Sequence, residues 1–88
     1  MSTYRMTDKQ IQILTTISDF KKATAEDIDL DKLLEHLPYR TTKQSMQFSL
    51  RALINKGILQ KLDDKVVRRG RARRTYEITS FGKSMLRI

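Results

Sequence analysis

The sequence predicts an α+β fold in a single domain, 1–88, with a three-helix core, a two-stranded basic hairpin and a short C-terminal helix. Three observations predict it. Apolar residues recur at spacings of three and four through three successive segments up to Gly57. Beyond Gly57 the period changes to two, in two stretches rich in β-formers. Eighty-eight residues also bury only one modest core, so one fold must carry the main function.

The first helix is expected to start at Thr7, which has capping-box spacing to Gln10, with Met6 stapled on Ile11. It should run to about Phe20, burying Ile11, Ile13, Leu14, Ile17 and Phe20, with Lys21 and Lys22 at its negative end. A second helix falls between Ala25 and Leu37, capped by Thr24, Asp29 or Asp31, with Leu30, Leu33, Leu34 and Leu37 inward. Pro38 ends it. Glu26, Asp27, Asp29, Asp31 and Glu35 give this segment an acidic outer surface, expected to face away from any polyanion.

Thr41 and Gln44 repeat the capping-box spacing and open a third helix, which reaches about Lys56 before Gly57. Met46, Leu50, Leu53 and Ile54 form its buried stripe, while Lys43, Gln44, Ser45, Gln47, Ser49, Arg51 and Asn55 occupy the other faces. Phe48 projects nearly opposite that stripe and is expected to pack on a neighbouring element. Beyond Gly57, Ile58 and Leu62 bracket polar Gln60 and Lys61, with Val66 and Val67 before the basic stretch, and Thr75 to Thr79 are β-formers. Two strands separated by Asp63, Asp64 and a basic loop centred on Gly70 read as a hairpin. Ser80 then caps a final helix whose Phe81, Met85 and Leu86 return to the core.

Charge is concentrated on one element. Eighteen Lys and Arg against ten Asp and Glu give +8, yet residues 65–74 alone hold Lys65, Arg68, Arg69, Arg71, Arg73 and Arg74 with no acid. The other seventy-eight positions contain twelve basic and ten acidic residues, a balance of only +2. Six cations in ten residues repel one another, which points to a polyanionic partner more than to a solvated face. The chain has no cysteine and no apolar run approaching the ~20 residues that span a bilayer, and Met1 to Thr7 lacks a signal-peptide core. A reducing cytoplasm is the expected compartment.

Catalytic chemistry finds no support. His36 is the lone histidine, expected at the surface or at the core boundary, and with no cysteine it has too few partners for a metal site. Glycines at 57, 70 and 82 are too far apart for a phosphate-cradling loop. The protein is therefore read as a non-enzyme with no cofactor and no small-molecule effector.

Two segments carry a family resemblance. Residues 45–59, SMQFSLRALINKGIL, resemble the recognition helix and following strand of the MarR and PadR repressors, and residues 70–82, GRARRTYEITSFG, resemble their wing, second wing strand and return helix. Together they cover about a third of the chain, in the order of a winged helix-turn-helix. The resemblance implies a sequence-specific double-stranded DNA-binding regulator, with a recognition helix of about 42–56 in the major groove and a basic wing of about 63–74 on the backbone or minor groove. On the helix, Thr42, Lys43, Gln44, Ser45, Gln47 and Arg51 become the candidate contacts. On the wing they are Lys65, Arg68, Arg69, Arg71, Arg73 and Arg74, with Arg71 and Arg73 flanking Ala72 for entry into a narrow minor groove. Many members continue into a long dimerisation helix where this chain stops at Ile88. Because one small module buries little DNA, a homodimer is expected for tight specific binding, paired through Met1 to Phe20 and Phe81 to Ile88, whose helices are free outside the DNA-facing side. The alternative is a winged-helix module that binds an acidic protein in a transcription, replication or plasmid or phage partition complex. RNA binding would use exposed aromatics on a sheet, with Tyr4, Tyr39 and Phe48 as scattered candidates.

Overall fold

Helix α1, Asp8–Thr24, begins at the expected capping box: Gln10 N–H donates to the Thr7 hydroxyl and Thr7 N–H to the Gln10 carboxamide, both at 3.1 Å. The structure, a computed structural model, describes residues 6–68 and 70–86. α1 buries Ile13, Leu14 and Ile17, while Phe20 is half-buried and Ile11 is exposed, outside the expected apolar face. It runs one turn past Phe20 and ends where Ala25 adopts a left-handed conformation and donates to the Lys21 carbonyl. No glycine announces that stop. Lys21 instead reaches across the turn to Asp27 at 2.9 Å, and this hydrogen bond holds its ammonium above the usual lysine range.

The segment from 25 to 37 holds less helix than its leucines suggest. Ile28–Asp29 form a two-residue strand, β1, and α2 spans only Leu30–His36, with Asp29 at its N-cap and Leu37 at its C-cap before Pro38. β1 is antiparallel to a later strand, pairing Ile28 with Tyr76 and Asp29 with Thr75. The acidic surface expected here is broken up accordingly. Asp29 is fully buried and engaged, Asp27 is tied to Lys21, and only Glu26 and Glu35 are widely exposed.

Helix α3 spans Lys43–Asn55, and its cap is Thr42 rather than Thr41: Thr42 is extended and its hydroxyl accepts from Ser45 N–H at 3.1 Å. Met46, Leu50 and Leu53 form its buried stripe. It closes in a Schellman motif, with Ile58 N–H on the Leu53 carbonyl at 3.1 Å and Gly57 N–H on the Ile54 carbonyl at 2.9 Å. Gly57 takes the positive φ of +77° that this motif requires at no steric cost.

Strands β2, Leu59–Arg68, and β3, Arg71–Ile78, complete a three-stranded antiparallel sheet in the order β1-β3-β2. The stretch expected to be a loop is thus largely paired strand, because pairing requires only the backbone and long cationic side chains tolerate an exposed ribbon. Register runs Leu59↔Ile78 to Lys61↔Tyr76, then resumes at Lys65↔Arg74 and continues to Arg68↔Arg71. Two extra residues of β2 are accommodated in that bulge, and Arg74 closes it by donating to the Leu62 carbonyl at 3.1 Å and to Asp63 at 2.8 Å.

Helix α4, Ser80–Leu86, follows β3 directly. Ser80 is its first residue; the capping oxygen comes from Thr79, which accepts from Gly82 N–H at 3.0 Å. The same hydroxyl donates to the Gly57 carbonyl at 2.6 Å, with the Ile58 carbonyl an alternative acceptor at 3.0 Å. Met85 and Leu86 pack against the core as expected, whereas Phe81 remains exposed. One continuous core joins residues from all three N-terminal helices to Ile58 and to Ile28, Leu59, Tyr76 and Ile78 of the sheet. Among the described residues no helix is long and apolar enough to cross a membrane.

Gly82 packs so closely on this junction that a Cβ there would stand 2.3 Å from the Ile58 carbonyl oxygen. That oxygen already receives Thr79 N–H and cannot retreat freely. Gly82→Ala should therefore cost about 1–3 kcal/mol or more in a urea unfolding experiment. Gly70→Ala offers the contrast, since nothing lies within 4 Å of Gly70 and only its positive φ opposes a side chain. Equal stability of Gly82→Ala and the wild type would contradict the packing.

Candidate nucleic-acid interface

α3 contains no acidic residue, and every side chain it does not bury is polar, small or basic except Phe48 and the half-buried Ile54. At 3.6 residues per turn, Gln44, Gln47, Phe48, Arg51 and Asn55 share the side opposite Met46, Leu50 and Leu53, and all five are exposed. Three of the six candidates on this helix, Gln44, Gln47 and Arg51, are thus brought together. The others have local duties: Thr42 caps, Ser45 supplies the capped amide, and Lys43 pairs with Asp31 at 3.3 Å. Phe48 is the clear correction. It is 76% exposed rather than packed, because no described element covers the outer side of α3.

The hairpin brings the basic segment into register. Lys65 pairs with Arg74 and Arg68 with Arg71 through the backbone; Arg69 lies outside the described residues, and for Lys65, Arg68 and Arg71 only the backbone is described. Val67 and Ala72, a directly paired couple, are both exposed, so this end of the ribbon stands clear of the core. The molecule is correspondingly long, 46 Å against 25 and 22 Å. Arg73 and Arg74, neighbours on β3, engage different partners: Arg74 is committed to the bulge, and Arg73 turns to Asp31.

Asp31 is the residue that the sequence placed wrongly. From the first turn of α2 it meets Lys43 Nζ at 3.3 Å with one carboxylate oxygen and Arg73 Nε at 3.6 Å with the other. The latter distance is an ion pair without a hydrogen bond, and Arg73 Nε is buried with no hydrogen-bond partner among the described residues. One carboxylate therefore links the first residue of α3 to a residue of β3 in the basic hairpin. Its sequence signal was ambiguous, since an acid in a first helical turn is also ordinary dipole chemistry.

The remaining candidates take other positions. His36 is exposed and sits edge-on to Phe20, with ring centroids 5.5 Å apart, and no metal-binding group of acids and histidine occurs among the described residues. Tyr39 lies under Lys9 Nζ, 5.6 Å from its ring centroid, and burial pushes its phenol above the usual range. Tyr76, the sheet's aromatic residue, is buried, and burial likewise raises its phenol; Tyr4 lies outside the described residues. Of the expected pairing surfaces, α1 and α4 expose Ile11 and Phe81, and Met1 to Arg5, Arg87 and Ile88 lie outside the described residues. A cleft of about 310 Å³, lined by Ile17, Lys21, Ile28, Tyr76, Ile78 and Lys83 among others, shares no residue with α3 or with 65–74.

The chain matches no protein-family model, and no curated protein matches it.

Removing the Asp31 charge should weaken the link between helix and hairpin. Asp31→Asn is expected to lose about 0.5–1.5 kcal/mol at low salt, the range of a partly exposed pair plus an under-satisfied donor. In about 1 M salt the loss should shrink, because half-exposed pairs are screened. Urea denaturation at both salt concentrations measures it; an unchanged midpoint at low salt would show the pairs contribute nothing.

Proposed function

We propose that the protein is a sequence-specific double-stranded DNA-binding protein of the winged helix-turn-helix type, acting as a transcriptional regulator. In this reading α3 enters the major groove and the β2–β3 hairpin is the wing on the backbone or the adjacent minor groove. The observation that carries it is the shared carboxylate of Asp31, which pairs with Lys43 of α3 and Arg73 of β3 and so supports a single surface bearing both elements. A DNA reader needs them on one side. The layout of four helices and a small antiparallel sheet, with the basic ribbon following α3, is compatible with this type.

The division of labour follows from the chemistry. Gln44, Gln47 and Arg51 carry donors and acceptors suited to base edges, where Gln pairs with adenine and Arg with guanine. The cations of 65–74 suit phosphates, whose neutralisation releases counterions and makes binding salt-dependent. Asp31 adds a restraint: it lowers the net positive charge between the two elements while holding them in place, which favours a fitted site over any polyanion.

The expected log-log slope of affinity against salt is roughly −4 to −7, from about five to eight phosphates neutralised. Gln47→Ala or Arg51→Ala should cost about 1–3 kcal/mol on the preferred sequence, with little change on random duplex. Arg68→Ala with Arg71→Ala should weaken both DNAs and lower the slope by about one for each phosphate no longer neutralised. Competition titrations on both duplexes, paired with thermal melting, test this. A flat salt response, or unchanged affinity in all variants with melting intact, would overturn the proposal.

A further inference from the structure

We propose that Phe48 is a specificity-determining contact of the α3 surface, whose ring takes up the 5-methyl group of a thymine in the major groove. The inference rests on the DNA-binding reading above and deepens it by naming a base. Exposure by itself would carry little, since single apolar residues are common on protein surfaces. The surroundings carry the argument. Phe48 follows Gln44 by one turn and precedes Arg51 by nearly one, so donors stand on either side of it along the helix. It lies opposite the buried stripe of Met46, Leu50 and Leu53, outside the core cluster, and it is 76% exposed. Folding therefore gains little from a phenyl ring there.

A major groove gives that ring a specific use. Thymine presents one carbonyl acceptor and one methyl group at the groove edge, and the methyl is the single apolar feature among the four bases. A surface arranged polar–aromatic–cationic, as Gln44, Phe48 and Arg51 are, complements a step in which a thymine lies beside bases read by hydrogen bonds. Cytosine in the same position carries only a hydrogen at C5, so the ring would lose the methyl contact, and an amino donor would replace the carbonyl acceptor beside it. Burying one methyl is worth about 0.8 kcal/mol, which corresponds to about fourfold in affinity.

The test begins with a preferred site obtained by selection from random duplex DNA. Each thymine of that site is then replaced by deoxyuridine, which removes only the methyl group. The wild type should lose about three- to fivefold at one thymine per half-site. Phe48→Ala should bind the thymine and uracil duplexes alike, and Phe48→Leu should retain part of the difference, both with the salt slope and thermal melting of the wild type. Indifference of the wild type to every thymine-to-uracil change, or an unaltered ratio in Phe48→Ala, would overturn the role of Phe48 while leaving DNA binding standing. Failure of the wild type to prefer any duplex would overturn the sequence-specific DNA reading and this inference together.

Discussion

The peptide at Gly57–Ile58 joins α3 to the sheet, and the placement of α4 and of the base of the basic hairpin follows from it. The Schellman closure fixes the angle at which the chain leaves α3. The Ile58 carbonyl then receives Thr79 N–H from the end of β3, and the Thr79 hydroxyl bonds the Gly57 carbonyl while capping α4. Gly82 packs against the Ile58 carbonyl with no room for a side chain. Three elements are thereby tied through a few polar atoms, and Ile58 beneath them is fully buried. Since β2 starts one residue later, the base of the basic hairpin is set relative to α3 by backbone bonds rather than by side-chain choice.

Asp31 supplies a second, weaker tie farther along. It meets Lys43 and Arg73 at partly exposed positions, where ion pairs contribute modestly to stability. Its larger effect is on arrangement: like charges on α3 and β3 would otherwise repel, and a carboxylate between them lets both lie on one side. The proposed DNA surface therefore depends on a rigid backbone junction at one end and an adjustable electrostatic contact at the other. Arg74, by contrast, serves the bulge, so the six cations of 65–74 do not act as equivalents.

Much of this architecture was legible in the sequence because it depends on local rules. The Thr7–Gln10 box, the Ile13–Leu14–Ile17 and Met46–Leu50–Leu53 stripes, Pro38 and Gly57 each act within a few residues and appear where expected, whereas Ile11 falls outside its stripe. What escaped depended on distant partners. β1 exists because Ile28 and Asp29 find Tyr76 and Thr75, far along the chain, and two residues are too short for a periodic signal. Asp31 looked like one of five acids on an outward surface until the hairpin folded back to it. Phe48 was misplaced for a different reason: its angle was readable, but aromatic residues are so often buried that packing was the natural expectation. The Gln44, Gln47 and Arg51 grouping needed only helical spacing, whereas the pairing of Arg68 with Arg71 needed the register of a hairpin whose bulge the sequence does not reveal.

Amide chemical-shift mapping reads out whether α3 and the basic hairpin form one continuous DNA-facing surface, as proposed above. On titration with a preferred duplex, the amides of Gln44, Gln47, Phe48 and Arg51 should shift together with those of the hairpin end around Val67 and Ala72. Amides lining the cleft at Ser18, Lys22 and Lys83 should stay in place. Shifts confined to the hairpin, or centred on α1 and α4 with α3 silent, would contradict that surface.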